Sequence, residues 1–168
     1  KAFLEIIRDK RTEVTDRLHP QGSCRSRLFA FQLLLEQLKI KDSYNKALKY
    51  EAIYWNILIE SMVLRKDIAD FLVESKKKGL TICAISDMQS SFQILKLQKL
   101  GMDKVIDFLV TSEEVGVEKP HPKIFNFALQ KLNLKINEVI MIGDSPEKDI
   151  EGAENIGIEA YLLEPKND

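Results

Sequence analysis

The sequence predicts an α/β fold, a parallel sheet covered by helices, preceded by an all-helical segment. Three observations predict it. Before about Leu64 the apolar residues recur only at helical spacing. After Leu64 short apolar runs alternate with helical stretches over short loops, the grammar of strand–helix–strand units. The chain has 168 residues, 45% hydrophobic and 30% charged, which is enough for one sizeable core.

The elements follow in order. Ala2, Phe3, Ile6 and Ile7 fall on one face of an opening helix. His19, Pro20, Gln21, Gly22 and Ser23 make a turn-rich break. Leu28, Phe31, Leu34, Leu35 and Leu38 give the buried face of a second helix. Asp42 or Ser43 is placed to cap a third, whose apolar residues are Tyr50, Ile53, Tyr54, Ile57 and Leu58. Trp55, near that stripe, reads as helix packing. Asp67 is placed to cap a fourth helix carrying Ile68, Phe71 and Leu72. Lys76, Lys77 and Lys78 suit its negative end as solvated charges, and Gly79 stops it.

Residues 80–85, Leu-Thr-Ile-Cys-Ala-Ile, form a continuous apolar run and predict a strand buried on both faces. A helix over 89–100 follows, stopped by Gly101, then a strand over 107–111. Next come a helix over 122–132, a strand over 139–142, a short helix over 146–155 and a last strand over 160–163. Ligands of such sheets bind at the carboxyl ends of strands. Chemistry is therefore expected in the loops after Ile85, Thr111 and Ile142.

Lys plus Arg number 25 and Asp plus Glu 26, a net charge of -1. That balance argues against a general nucleic-acid-binding surface. An anionic substrate must be held by a few placed groups. The two cysteines, Cys24 and Cys83, lack metal-ligand spacing and fit a reducing cytoplasm. Cys83, inside an apolar run, is expected to be a buried free thiol. No apolar stretch is long enough for a bilayer and no signal peptide is visible, so a cytoplasmic location without a membrane partner is expected. Nothing in the sequence fixes an oligomeric state.

Three loops carry candidate chemistry. After the strand over 139–142 come Gly143, Asp144, Ser145, Pro146, Glu147, Lys148 and Asp149. Two carboxylates five residues apart at a sheet edge suit Mg²⁺, a hard cation that takes oxygen ligands. Equally, Ser145 and Pro146 start a helix well, and both aspartates favour its N-terminus. After Ile85 come Ser86 and Asp87, where a hydroxyl and backbone N–H groups can hold a phosphate oxygen, or simply make a turn. Lys119 lies between Glu118 and Pro120, His121 and Pro122. Two prolines stiffen the segment and can aim its ammonium at phosphate oxygens. His121 reads as a cap rather than a base, and His19 as surface.

The order and spacing of these pieces resemble the haloacid dehalogenase-like (HAD) superfamily over about residues 64–163. Ile85-Ser86-Asp87 is similar to its second motif, in which a Ser or Thr binds the phosphoryl group. Val117 through Phe125, with Lys119, is similar to the third, whose lysine neutralises nucleophile and phosphate. Ile140-Met141-Ile142-Gly143-Asp144 with Asp149 is similar to the fourth, which holds Mg²⁺. Asp149-Ile150-Glu151-Gly152-Ala153 through Gly157-Ile158 also looks like this family. The resemblance implies a Rossmann-like core over 64–168 and a helical cap over 1–63 that closes over the site and selects substrate. Arg25, Arg27 and Tyr54 are candidate selectors there, without an assigned role.

The implied activity is a Mg²⁺-dependent phosphatase acting on a small phosphorylated metabolite through an aspartyl-phosphate. Ser86 and the Asp87 backbone would bind phosphate, Ser86 and Lys119 would be catalytic, and Asp144 and Asp149 would hold the metal. The family's first motif, an apolar strand ending in Asp-x-Asp, has no counterpart: no Asp-x-Asp occurs in the sequence, and Asp67 and Asp70 are wrongly spaced. In the family that strand lies between those matching 80–85 and 139–142. The sequence opens on Lys1 inside a helical pattern, so the expectation is a truncated chain, inactive alone and poorly stable. Alternatives are a 2-haloacid dehalogenase, which needs no Mg²⁺, a non-catalytic binding relative, and a split enzyme. The paired carboxylates favour the phosphatase.

Overall fold

The computed structural model describes residues 2–22 and 24–164. The Ala2 and Phe3 side chains and Ser23, named above, lie outside the described residues, as do Lys1 and 165–168. Three helices lead: α1 (Ala2–Leu18), α2 (Arg27–Gln37) and α3 (Ser43–Glu60). Then come α4 (Lys66–Lys77), β1 (Cys83–Ser86), α5 (Ser90–Lys99), β2 (Phe108–Thr111), α6 (Ser112–Val115) and α7 (Pro122–Leu132). A 3-10 turn (Ile136–Glu138) precedes β3 (Ile140–Gly143); a π-helical turn (Pro146–Glu151) runs into α8 (Gly152–Glu154), and β4 (Glu159–Leu162) closes the order.

The fold is α/β with parallel strands. β1 pairs β2 in register Ile85 with Val110, and β3 pairs β4 in register Ile142 with Tyr161. Among the described residues these are two separate parallel pairs, and β1 and β3 are not hydrogen-bonded neighbours. α7 buries Ile124, Phe125, Ala128 and Leu129, one helix face, in a core with Val110, Ala153 and Ile158. Cys83, Ile85 and Met141 pack against that core from the strands.

Several local expectations are corrected. The first strand starts at Cys83, because the Ile82 N–H is taken by the Asp107 carboxylate at 2.8 Å while Leu80 and Thr81 are exposed. Its residues, Cys83 included, are half-buried rather than buried on both faces. β3 alternates, with Ile140 and Ile142 exposed and Met141 and Gly143 turned inward. Asp42 precedes α3 in the left-handed region and forms no side-chain cap; its carboxylate accepts from Asn45 instead. α4 begins at Lys66 with Arg65 at the cap position, so Asp67 lies in its first turn. Lys76 is not merely solvated: it pairs with Asp107.

The buried face of α3 is rotated from the expected stripe. Ala47, Glu51 and Trp55 are buried, whereas Tyr50, Ile53 and Ile57 are exposed. Two contacts set this rotation. The Glu51 carboxylate accepts the Leu28 N–H at 3.0 Å near the start of α2, and Trp55 stacks on Phe92 of α5 at 4.3 Å. In α2, Phe31, Leu34 and Leu35 are buried as expected, while Leu38 is exposed.

Candidate functional site

The loops that follow β1 and β3 meet at Lys119. β1 ends at Ser86, which is half-buried, and Asp87 follows it. β2 ends at Thr111, whose hydroxyl caps α6 by accepting from the Glu114 N–H. The chain then runs through Glu118 and Lys119 into α7, where His121 acts as the cap, its Nδ1 accepting from the Lys123 N–H at 3.1 Å. Lys119 Nζ donates to Asp149 Oδ1 at 2.6 Å and to the Ile85 carbonyl at 3.1 Å. The Ile82 carbonyl bonds toward β2, and carbonyls alternate sides along a strand, so Ile85 shares the orientation of Cys83 on the other edge. Lys119 therefore satisfies an acceptor on the unpaired edge of β1.

Asp149 is buried, and its second oxygen accepts the Ser145 N–H at 3.0 Å. Its packing needs the glycine of β3: a Cβ on Gly143 would lie 2.4 Å from the Asp149 Cβ. Ser145 caps the following turn by accepting from the Lys148 N–H, with Pro146 at its first position. The helix-start and chemical readings of this loop thus coexist. Asp144, one residue beyond β3, is exposed. Asp87 takes the Lys119 N–H on Oδ1 and Lys148 Nζ on Oδ2, each at 2.8 Å. So Asp87, Lys119 and Asp149 are brought together, with Ser86 adjoining them and Asp144 beside Gly143.

The sequence reading missed a second set of charges behind Lys119. Glu118 is fully buried and receives the Arg25 fork, Nε and Nη2 each at 2.9 Å. Lys148 Nζ at 3.2 Å and the Cys24 thiol at 2.8 Å complete its shell. Burial alone would raise the pKa of Glu118, but the hydrogen bonds from Arg25 and Cys24 and the Arg25 charge outweigh it and hold its pKa below the ordinary value. Burial and the bond to Glu118 push the Cys24 thiol up to about 12, so it stays protonated as a donor. Burial likewise lifts Cys83, to about 11. Burial would depress Lys148, yet its bonds to Asp87 and Glu118 raise it. Glu118 and Lys148 adjoin the motif residues Lys119 and Asp149, which was a usable signal. Arg25, named above as a candidate selector, is instead engaged by Glu118, and nothing near it in the sequence pointed to that partner.

The same junction ties backbone to backbone. Gln21 bridges Val117, the Gly22 N–H donates to the Gly116 carbonyl, and the Glu118 N–H donates to the Pro20 carbonyl. The fit is tight: a Cβ on Gly22 would lie 2.1 Å from the Ser112 carbonyl oxygen.

Among the described residues no three His, Cys, Asp or Glu side chains cluster as a metal site. Asp144 and Asp149 are hard-oxygen donors of the kind Mg²⁺ takes, and they fit as part of a ligand set. Both Asp149 oxygens already accept a hydrogen bond, which leaves the exposed Asp144 as the freer donor. No helix of the described residues is long and apolar enough to cross a membrane.

Parallel strand pairs with Asp87, Lys119 and Asp149 gathered at their carboxyl ends define an α/β protein with a charged cluster at that edge. The chain belongs to the haloacid dehalogenase-like hydrolases, whose family model matches residues 29–163. It is 30% identical over 168 residues to a ribulose-1,5-bisphosphate 5-phosphatase of Halopiger xanaduensis, covering 100% of this chain and 70% of that one. It is 38% identical over 87 residues to a glyceraldehyde 3-phosphate phosphatase of Methanocaldococcus jannaschii, covering 52% of this chain and 38% of that protein. It spans less than half the length of the curated glyceraldehyde 3-phosphate phosphatases it matches. A HAD phosphatase of Thermococcus onnurineus superposes with TM-score 0.71 at 22% identity, covering 96% of this chain and 69% of that one. A 2-haloacid dehalogenase of Pseudomonas syringae gives 0.74 at 20%, covering 98% and 70%. At those identities the two structures speak for the fold alone.

Proposed function

We propose that this chain is the cap, over residues 1–63, and most of the core, over 64–168, of a cytoplasmic Mg²⁺-dependent phosphatase of small phosphorylated metabolites. One observation carries the reading: Lys119 is held between the end of β1 and Asp149, with Ser86 and Asp87 beside it. The Ser86 hydroxyl and the Asp87 N–H bind phosphoryl oxygens, and Lys119 offsets their charge. Asp149 holds the lysine in place. Asp144 and Asp149 would hold the Mg²⁺, which when bound supplies further neutralisation of the phosphoryl oxygens.

The nucleophile belongs to an Asp-x-Asp strand that these 168 residues do not contain. The unpaired edges of β1 and β3 support a place for that strand between them. An aspartate there attacks phosphorus as the ester P–O bond breaks and the alcohol leaves, and water then cleaves the aspartyl-phosphate to inorganic phosphate and the free carboxylate. The names of the phosphatases to which the chain is similar favour this reaction over dehalogenation.

The test is a monoester assay on a protein in which such a strand precedes these residues. Turnover lost with a metal chelator and sharply reduced by Lys119→Ala is expected. Chelator-insensitive halide release from 2-haloacids, with no phosphate release, would refute it. The 168-residue chain by itself is expected to show no turnover.

A further inference from the structure

One short turn grips Lys119 from two sides. Asp149 takes its ammonium at 2.6 Å. The residue before it, Lys148, acts on the Lys119 backbone through Asp87. Lys148 Nζ donates to Asp87 Oδ2, and Asp87 Oδ1 accepts the Lys119 N–H, both at 2.8 Å. Ser145 fixes the start of the turn by accepting the Lys148 N–H. The phosphatase chemistry proposed above uses Asp149 and Lys119 but not Lys148.

The two carboxylates that share Lys148 would lose different things without it. Glu118 would keep the Arg25 fork and the Cys24 thiol. Asp87 would keep the uncharged Lys119 N–H, and its carboxylate, 12% exposed, would lose its ion-pair partner. The charges also balance: Asp87, Glu118 and Asp149 meet Arg25, Lys119 and Lys148. Taking out Lys148 leaves that cluster one charge negative at the edge where a phosphoryl group would sit. Partly buried charges are screened less than solvated ones, so an arriving anion would feel the excess.

We propose that Lys148 is a positioning residue of the phosphoryl site: it neutralises the Asp87 carboxylate and holds it on the Lys119 N–H, so that the backbone N–H of Asp87 can receive an anion. The proposal rests on the phosphatase reading for calling that anion a substrate's phosphoryl group. Lys148 acts through Asp87 and does not touch the anion.

The experiment follows the backbone amides of Ser86 and Asp87 by NMR while inorganic phosphate is titrated into the 168-residue chain. The Asp87 amide is expected to shift saturably. Lys148→Met is expected to weaken phosphate about tenfold, the order of one uncompensated charge facing an anion in a partly buried site. Lys148→Arg keeps the charge and is expected to stay within about threefold of the unaltered chain. Lys148→Met combined with Asp87→Asn removes both charges, keeps an acceptor for the Lys119 N–H, and is expected to recover most of the affinity. That recovery separates positioning from structural support, which the second change would weaken further, and from direct contact of Lys148 with phosphate, which it could not restore. Being charge-balanced, the double variant also decides the matter should Lys148→Met fail to fold. No shift at Asp87, an affinity unchanged in Lys148→Met, or a double variant about tenfold weaker than the unaltered chain overturns the proposal. In the longer protein Lys148→Met is expected to raise KM with kcat little changed, because the Asp87 N–H meets ground state and transition state alike. A fall in kcat at unchanged KM would count against it. Failure of the phosphatase reading looks different: no phosphate release from the longer protein, with the Lys148 dependence of phosphate binding intact in this chain.

Discussion

In the α/β part, Phe125, Ile124 and Val110 are fully buried within one cluster of eight buried residues fed by α7, β2 and α8. In the helical part, the described cluster holds three, Phe31, Leu35 and Ala47, while Ile53 and Ile57 of α3 are 55% and 63% exposed. The first part is held mainly by apolar burial. The second buries Val14, Ala30, Leu34 and Trp55 as well, is tied internally by Glu51 on the Leu28 N–H, and meets the first part through Trp55 on Phe92 and through Arg25 and Cys24 on Glu118. The helical part is therefore positioned on the first by a few contacts, and those to Glu118 end beside Lys119. A segment held this way can change its seating without unpacking the core beneath it.

The comparison breaks hardest at Phe125. Phe125→Ala empties a filled core and is expected to cost about 3–5 kcal/mol, read as a lower urea midpoint. Phe31→Ala widens a cavity that already exists, so mainly the transfer term is lost, about 2 kcal/mol. Equal losses at the two sites would erase the distinction between the parts. Glu118→Ala attacks the tie itself, leaving Arg25 and Lys148 without their shared partner at about 3–5 kcal/mol. Its signature is an earlier, partly separate unfolding transition for the helical part, because the side-chain bonds to Glu118 are lost while the backbone bonds from Pro20 and Gly22 remain. A single undiminished transition would show that Arg25 and Glu118 do not join them.

Acid offers a gentler way to the same contact. Glu118 has a folded pKa below its ordinary value, so its contribution is fully present above the unfolded value, about 4.3, and is lost as the pH falls through the lower folded value. Urea midpoints are expected to show a decline below that pH which Glu118→Gln removes. A decline unchanged in Glu118→Gln would assign it to other carboxylates.

What the sequence disclosed and what it hid divide along the same line. α7 was legible from end to end because its cap, its N1 proline and its apolar face are all local. The meeting of Ser86, Asp87, Lys119 and Asp149 followed from each lying within a few residues of a strand end or a stiff loop. The face of α3 was misread because hydrophobicity pointed to Tyr50, Ile53 and Ile57, while Glu51 and Trp55 answer to partners on other elements. Arg25 and Glu118 stand 93 positions apart, and no periodicity links them. Local chemistry is written in local order; long-range polar pairing is not.

The smallest effect is expected where the α/β part is stapled at its surface. Lys76 at the end of α4 pairs with Asp107, which also holds the Ile82 N–H just before β1. Both side chains are about one-third exposed, at 35% and 29%, so water and salt screen the pair. Lys76→Ala is expected to cost about 0.2–1 kcal/mol, less in high salt than in low. Asp107→Ala removes the acceptor of the Ile82 N–H as well, and should cost more by about one net hydrogen bond, 0.5–1.5 kcal/mol. If the two substitutions cost the same, the strand start is not fixed by Asp107. The late beginning of β1 would then need a cause in the unpaired edge of the strand.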